Sequence, residues 1–295
     1  MQPSHLPVML EEVVACLAPV DGGLYVDGNL GLGGHTERIL ELSGPSGRVV
    51  GFDCDAAALT LAQERLARFG DRILFVHENF TSIKETLMEL GIGKIDGLLL
   101  DLGLSSLQLD ESGRGFSFKG SEPLDMRMDQ RQTTTAAQLV NEASQEELAD
   151  IFFYYGEECQ ARRIAEKIVE QRRKEKIIFT DQLVTLVDQA IPKRFHPKKI
   201  HVATKVFQAL RIAVNRELDS LEQVLADGAL LLAPGARFCV ISFHSLEDRL
   251  VKQAFRENHL LEVVTPKPLT PGRAECLRNP RARSAKLRVA ARGIN

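Results

Sequence analysis

One repeated arrangement in the first hundred residues constrains this chain most. A short apolar run ends in a glycine or a carboxylate, and a segment of helical period follows. Leu24-Tyr25-Val26-Asp27 runs into a glycine-rich turn, then a helical stretch over His35 to Leu42. Arg48 to Asp53 is the second run, and Ala56 to Phe69 its helix, with Leu59, Ala62, Leu66 and Phe69 at helical spacing. Ile73 to His77 and Ile95 to Asp101 are the third and fourth runs, separated by a helix over Ile83 to Leu90. The runs are apolar on both alternating faces, which is the pattern of parallel strands covered by helices on both sides. Alternation at this spacing predicts an α/β doubly wound domain.

In such sheets ligands sit beyond the carboxyl ends of the strands. Three ends carry suitable groups. The first is Asp27-Gly28-Asn29-Leu30-Gly31-Leu32-Gly33-Gly34-His35, where glycine permits close backbone approach and the next helix offers free N–H groups. The second is Asp53, which lies 22 residues after Gly31, the separation at which a carboxylate receives ribose hydroxyls. The third is Asp101. Singly, the glycines could simply make a tight turn and the acids cap helices. Together, on successive strands, they predict a nucleoside-type cofactor. A nicotinamide fingerprint counted from Gly31 needs glycine at position 36, where Thr36 stands. The G-x-G-G pattern is closer to the first motif of S-adenosylmethionine-dependent methyltransferases.

Charge is unevenly placed. The net of −3 hides 7 basic and 15 acidic side chains in residues 1–108, 17 and 16 in 109–212, and 13 and 9 in 213–295. Residues 193–216 hold seven basic side chains and no acid. Residues 273–292 hold seven basic side chains against Glu275 alone. Two such stretches beside a nucleoside site point to a polyanionic partner, with phosphate contacts supplying affinity. The five cysteines are scattered and include no C-x-x-C, so no metal site is expected. No run of about 18 apolar residues occurs, so no membrane span is expected. The start, Met1-Gln-Pro-Ser-His5, lacks the layout of a secretory signal, and the expected location is cytoplasmic.

Between Asp110 and Ala213 strand signals vanish. Ser144-Gln-Glu-Glu147 reads as a capping box opening a helix through Tyr155. Cys159 to Arg173 forms another helix, and Thr180 caps a third that Pro192 ends. A single long helix is expected from about Ala203 to Leu232, then a fifth strand at Arg237 to Phe243 with a helix over Leu246 to Phe255. Leu260–Thr265 and Lys286–Ala290 are the closing strands. The expectation is a discontinuous α/β domain, 1–110 and 213–295, interrupted by an all-helical insertion, 111–212, that recognises substrate.

The later sequence resembles one family. His5-Leu-Pro-Val-Met-Leu10, Asp27 to His35, Asp101 to Asp110, Arg114-Gly-Phe-Ser-Phe118 and Pro123-Leu-Asp-Met-Arg-Met-Asp129 carry the likeness. So do Gly156-Glu-Glu158, Phe207 to Asn215, Ile241 to Arg249 and Asn279 to Ser284. The chain is similar throughout to the MraW family of ribosomal RNA small subunit methyltransferases. The resemblance implies a class I (Rossmann-like) fold, S-adenosyl-L-methionine as cofactor, and methylation of N4 of a cytidine in 16S rRNA near the P site of the decoding centre. The partner it implies is that rRNA within the small ribosomal subunit. It also implies cofactor contacts by Gly33, Gly34, His35, Asp53, Phe80, Asp101 and Gln108. The sequence departs from the family pattern at Asn29 (more often Thr), Val202 (Pro) and Lys205 (Arg). Lys keeps the charge but lacks the planar bidentate grip of Arg.

Methylating an exocyclic amine requires alignment with the methyl group and an acceptor for the amine proton. Asp101 is the first candidate, with Ser105, Ser106 or a backbone carbonyl as alternatives, since Leu102-Gly-Leu follows instead of a proline pair. His244 is a further catalytic candidate or a structural hydrogen-bonding group. Phe80 either packs on adenine or anchors the core. Phe116 and Phe118 either stack on a displaced base or anchor the insertion. Lys198, Lys199, Lys205, Arg211, Arg281, Arg283 and Lys286 are the candidate RNA contacts. A DNA amino-methyltransferase, a nicotinamide oxidoreductase (disfavoured by Thr36) and a non-catalytic ribosome-assembly factor are the competing readings, and the chain is compatible with a monomer or a homodimer.

Overall fold

The computed structural model describes residues 6–104, 109, 112–118 and 120–294. The chain falls into two compact units, residues 1–105 with 218–295, and residues 106–217.

In chain order the first unit begins with α1 (Leu10–Leu17), β1 (Leu24–Asp27), α2 (Gly34–Leu42), β2 (Arg48–Phe52) and α3 (Ala56–Leu66). β3 (Ile73–Val76), α4 (Ile83–Glu89) and β4 (Ile95–Asp101) follow. The second unit contains α5 (Ala136–Glu142), α6 (Gln145–Asp150), α7 (Ala161–Arg172), α8 (Thr180–Ala190) and α9 (Thr204–Asn215). The chain then returns to the first unit through α10 (Glu217–Leu231), β5 (Leu232–Ser242), α11 (Ser245–Glu257), β6 (Leu261–Val263), α12 (Arg273–Arg278) and β7 (Lys286–Arg292).

The strands form one seven-stranded sheet in the order β3-β2-β1-β4-β5-β7-β6. β1 to β5 are mutually parallel, and β7 runs antiparallel between β5 and β6. Register brings the ends together: Asp27 lies beside Gly51 and Leu99, Phe52 beside Val76, and Asp101 beside Ile241. Side chains alternate between two cores. Val26, Val50, Leu98, Leu100 and Val240 face one side with Phe80, Leu225 and Phe255. Tyr25, Val49, Leu99, Cys239 and Ile241 face the other with Leu17, Ile39 and Leu66. Both faces are covered, which is why these strands read as continuous apolar runs.

Several boundaries differ from the sequence reading. The helix opened by Ser144 has the expected capping box, but it is α-helical only to Asp150 and continues as a π-helical turn over Ile151–Tyr155. Thr180 is the first residue of α8 and Phe179 its cap. The Thr180 hydroxyl instead donates to the Gly120 carbonyl and accepts from the Glu122 N–H. β5 starts five residues early, at Leu232. The segments α1, α5 and α12, too short to show a long apolar stripe, are additional helices.

The long helix expected from Ala203 to Leu232 is two helices. Arg216 adopts left-handed geometry (φ 50°, ψ 42°) and breaks it. The break lets Asn215 turn its amide onto a neighbouring loop: Oδ1 accepts from the Met128 N–H at 2.8 Å, and Nδ2 donates to the Met126 carbonyl at 2.8 Å. Arg211 and Glu217 form a bidentate pair at 2.8 Å within the same unit. The buried Arg114 guanidinium donates to the Arg127 and Met128 carbonyls of that loop. The Arg114–Phe118, Pro123–Asp129 and Phe207–Asn215 motifs are thus parts of one hydrogen-bonded assembly. Replacing Asn215 with Ala leaves buried backbone groups unpaired, at a cost of about 1–3 kcal/mol each. We expect Asn215→Ala to destabilise the protein by at least about 2 kcal/mol in urea denaturation; an unchanged midpoint would contradict this assignment.

Candidate active site

The site is built in the first unit where β1, β2 and β4 end. After Asp27 the chain turns outward, and the Leu30 N–H donates to the Phe52 carbonyl at 2.8 Å. Gly31 has φ +53°, a left-handed value that glycine adopts without steric cost, and its open side meets nothing closer than 4.0 Å. Its N–H donates to Asp53 Oδ2 at 2.8 Å, while the Asp55 N–H donates to Oδ1 at 2.9 Å. Asp53 thereby ties the glycine loop to the end of β2 and keeps a lone pair on each oxygen.

Gly33 caps α2, and a side chain there would meet Leu66; one at Gly34 would meet Pro7 at 2.4 Å. These two glycines are required first by packing against the protein itself. His35 is buried. Its Nε2 lies 2.9 Å from the Val8 carbonyl, which can only accept, so Nε2 carries the proton and Nδ1 faces Asp101 Oδ2 at 3.8 Å.

Three carboxyls stand at these strand ends, each shifted upward. Asp27 is buried and rises to about 6, chiefly through burial, against the opposing pull of His35 and of the Thr36 hydroxyl, which donates to it at 2.7 Å. Asp53 rises to about 6 through burial, moderated by the two N–H donors. Asp101 rises furthest, to about 7. It too is desolvated, yet among the described residues it accepts one bond only, from the Gly103 N–H at 3.3 Å. Burial lowers the pKa of His35, so the imidazole is favoured neutral.

A nucleoside cofactor with an amino-acid tail fits these groups. Asp53 has acceptor capacity for two ribose hydroxyls, and Gly31 leaves backbone open to a ligand. Asn29 Oδ1 is buried without a hydrogen-bond partner, as an atom awaiting a donor would be.

The remaining sequence candidates divide. Phe80 is in the core against Leu100 and Ile83, as an anchor. Phe116 is buried under the Arg114 guanidinium, and Phe118 stacks on His201 at 4.6 Å with Phe207 edge-on at 5.5 Å, so both anchor the helical unit. His244 caps α11: its Nδ1 accepts from the Glu247 N–H, and its Nε2 lies 3.0 Å from Glu247 Oε1. Ser105, Ser106 and Gln108 lie outside the described residues. Lys205 donates to the Glu157 carbonyl, Arg211 is held by Glu217, and Lys286 pairs with Asp248 at 2.9 Å beside Arg288. Those three cations already have partners within the protein. Lys198, Lys199 and Arg283 are exposed, and Arg281 is half-buried. Val8 is the functional group that the sequence reading missed: it presents only a carbonyl, and nothing in its side chain advertises that role.

A sequence profile of the MraW methylase family matches residues 2–293. The chain belongs to the MraW methylase family. It is 57% identical over 286 residues to the ribosomal RNA small subunit methyltransferase H of Desulfotalea psychrophila, covering 97% of each chain. The protein of the same name from a Cyanothece species is 52% identical, over 98% of this chain and 94% of its own. That of Geotalea uraniireducens is 49% identical over 97% of both. The chain is a methyltransferase of the class I Rossmann-like fold, and S-adenosyl-L-methionine is its cofactor.

Replacing Asp53 with Ala removes the tie to the Gly31 loop and the carboxylate that has acceptor capacity for ribose hydroxyls. We expect S-adenosylhomocysteine affinity, read by calorimetry, to fall at least tenfold, since each charged hydrogen bond is worth about 1.5–3 kcal/mol. Asp101 supplies a stability signature. Its folded pKa exceeds its ordinary value of 3.8, so its contribution is fully present below about pH 4 and is lost as pH rises through about 7. Asp101→Asn should therefore raise Tm relative to the unaltered protein by a few degrees at pH 8 and by little at pH 4.5. Equal shifts at both pH values would show that Asp101 is not the desolvated group.

Proposed function

We propose that this protein transfers the methyl group of S-adenosylmethionine to N4 of a cytidine in 16S rRNA of the small ribosomal subunit, near the P site of the decoding centre, in the cytoplasm. The observation that carries this reading is Asp101: a half-buried, sparsely bonded carboxyl, its side chain 21% exposed, pushed up to a pKa of about 7 at the end of β4, in the same strand-end cluster as the glycine loop and Asp53. The relatives' name, ribosomal RNA small subunit methyltransferase, supports the substrate class.

The cofactor, when bound, supplies an electrophilic methyl group on a sulfonium. Asp53 and the loop at Gly31 hold the nucleoside part. Cytosine N4 is a weak nucleophile because its lone pair is delocalised into the ring. Asp101 accepts a hydrogen bond from the amine and takes the proton that nitrogen loses when the N–C bond forms and the C–S bond breaks, then releases it to solvent. A carboxyl poised near neutrality suits that task, being ionised often enough to accept and basic enough to draw the proton. His35 Nδ1, unprotonated and 3.8 Å away, donates nothing to Asp101 Oδ2, while the Gly103 N–H occupies only Oδ1. The helical unit, 106–217, recognises the RNA, with Lys198 and Lys199 as exposed phosphate contacts alongside Arg283 of the first unit.

Labelled S-adenosylmethionine incubated with unmethylated small subunits should place label on N4 of one cytidine after RNA digestion. Label on C5, on a ribose or nowhere would sink the reading. Single-turnover methylation should rise with pH through about 7 and level off above it, because only ionised Asp101 accepts the proton; Asp101→Asn should lose at least a hundredfold in rate and that pH step. Lys198→Gln with Lys199→Gln should reduce the slope of log affinity against log salt by about 1.5 while leaving cofactor affinity unchanged.

A further inference from the structure

The Gly156-Glu157-Glu158 motif is not used by the site described above. It lies in the second unit, at the end of the π-helical turn Ile151–Tyr155. That turn is held from behind. Lys205 donates to the Glu157 carbonyl at 2.7 Å, and Gln208 donates to the Tyr155 carbonyl at 3.2 Å, both from α9. The Glu158 N–H reaches back to the Phe152 carbonyl at 3.1 Å, and the Glu158 carboxylate receives the Gln160 N–H. Glycine is required at 156, because a side chain there would sit 2.6 Å from the Phe152 carbonyl and 2.7 Å from that of Lys205.

The clamp has an outcome at the surface. Phe152 is fully buried, whereas Phe153 and Tyr154 are 54% and 63% exposed. Their rings stand edge to face, 5.2 Å apart at 83°, so two perpendicular ring faces form a corner. Packing gains nothing from aromatic rings left in water, and π-helical turns recur at functional sites. Beside the corner is a cleft of about 350 Å³ that also takes in Arg162 and Arg163 at the start of α7, with Asp150 and Cys159. Both arginines are exposed, and no hydrogen bond or ion pair among the described residues engages either guanidinium. Two cations facing one carboxylate leave the cleft net positive.

We propose that this cleft binds an unpaired nucleotide of the RNA substrate, its base stacked on Phe153 and Tyr154 and its phosphate held by Arg162 and Arg163. The proposal rests on the RNA reading above and adds to it a second contact point, for a nucleotide that is not methylated. Aromatic rings next to guanidiniums are the means by which proteins hold single strands without reading sequence, and stacking is worth about 1–3 kcal/mol per base. A duplex, whose bases are already stacked, offers nothing to the corner.

The test is binding of a fluorescein-labelled single-stranded RNA oligonucleotide and its duplex, by anisotropy. Phe153→Ala and Tyr154→Ala should each weaken single-strand binding about 5–50-fold, Tyr154→Phe should retain it, and duplex binding should change little. The Arg162→Gln/Arg163→Gln pair should weaken binding and flatten its salt dependence. S-adenosylhomocysteine affinity in every variant should match that of the unaltered protein, which also reports intact folding. Saturating RNA should slow alkylation of Cys159, the exposed thiol. Single-strand affinity unchanged in both alanine variants overturns the proposal. So does loss of a dimer in those variants, seen by ultracentrifugation, with RNA affinity intact. Tyr154-dependent binding by a protein that places no label on cytidine N4 would uphold the cleft and remove the cytidine reading instead.

Discussion

The hydrogen bond from the Gly31 N–H to Asp53 is the tie on which the cofactor side of the molecule depends. It joins a loop after one strand to a carboxylate after the neighbouring strand, so the ligand surface is set as soon as β1 and β2 pair. Three acids, Asp27 buried and Asp53 and Asp101 half-buried, stand at neighbouring strand ends. Each is compensated differently. Asp27 is satisfied by the Thr36 hydroxyl and the Asn29 N–H, and Asp53 by two backbone N–H groups. Asp101 has a single long bond among the described residues and is the most basic of the three. The carboxyl with the fewest hydrogen bonds is the one on which the proposed proton transfer rests.

Much of this was legible in the sequence, for identifiable reasons. Parallel strands buried on both faces give unbroken apolar runs, so β1 to β4 and the placing of Asp27, Asp53 and Asp101 could be read directly. The helical unit was less transparent because its elements stop for tertiary reasons. The 203–232 stretch keeps its apolar period through Arg216, and the break answers to the loop at Met126–Met128, 87 to 89 residues before Asn215 in the chain. The turn at Ile151–Tyr155 was hidden in the same way, since widening a helix by one residue leaves local composition untouched.

Counting cations also misled in part. Seven basic side chains in each of two stretches suggest a phosphate surface, but Lys205, Arg211, Lys286 and Arg288 hold the protein's own carbonyls and carboxylates. Arg114 likewise serves two carbonyls of its own unit. Formal charge does not distinguish a guanidinium that knits loops from one that waits in water. Arg162 and Arg163 wait in water and belong to neither stretch.

The pairing of β4 with β5 has a consequence for how the molecule forms. Leu98 lies beside Phe238 and Leu100 beside Val240, so the middle of the sheet is closed by partners separated by the whole helical unit. Closing so long a loop is entropically costly in a disordered chain, and the cost grows only slowly with length once the loop is long. A helical unit rich in local contacts folds quickly and shortens the effective separation before the strands meet. During synthesis, β1 to β4 emerge as a sheet whose inner edge on β4 is open until residues 232–242 arrive. The helical unit therefore sets the order in which this protein can be completed, and the exposed edge of β4 is the point at which a growing chain is most vulnerable to wrong pairing.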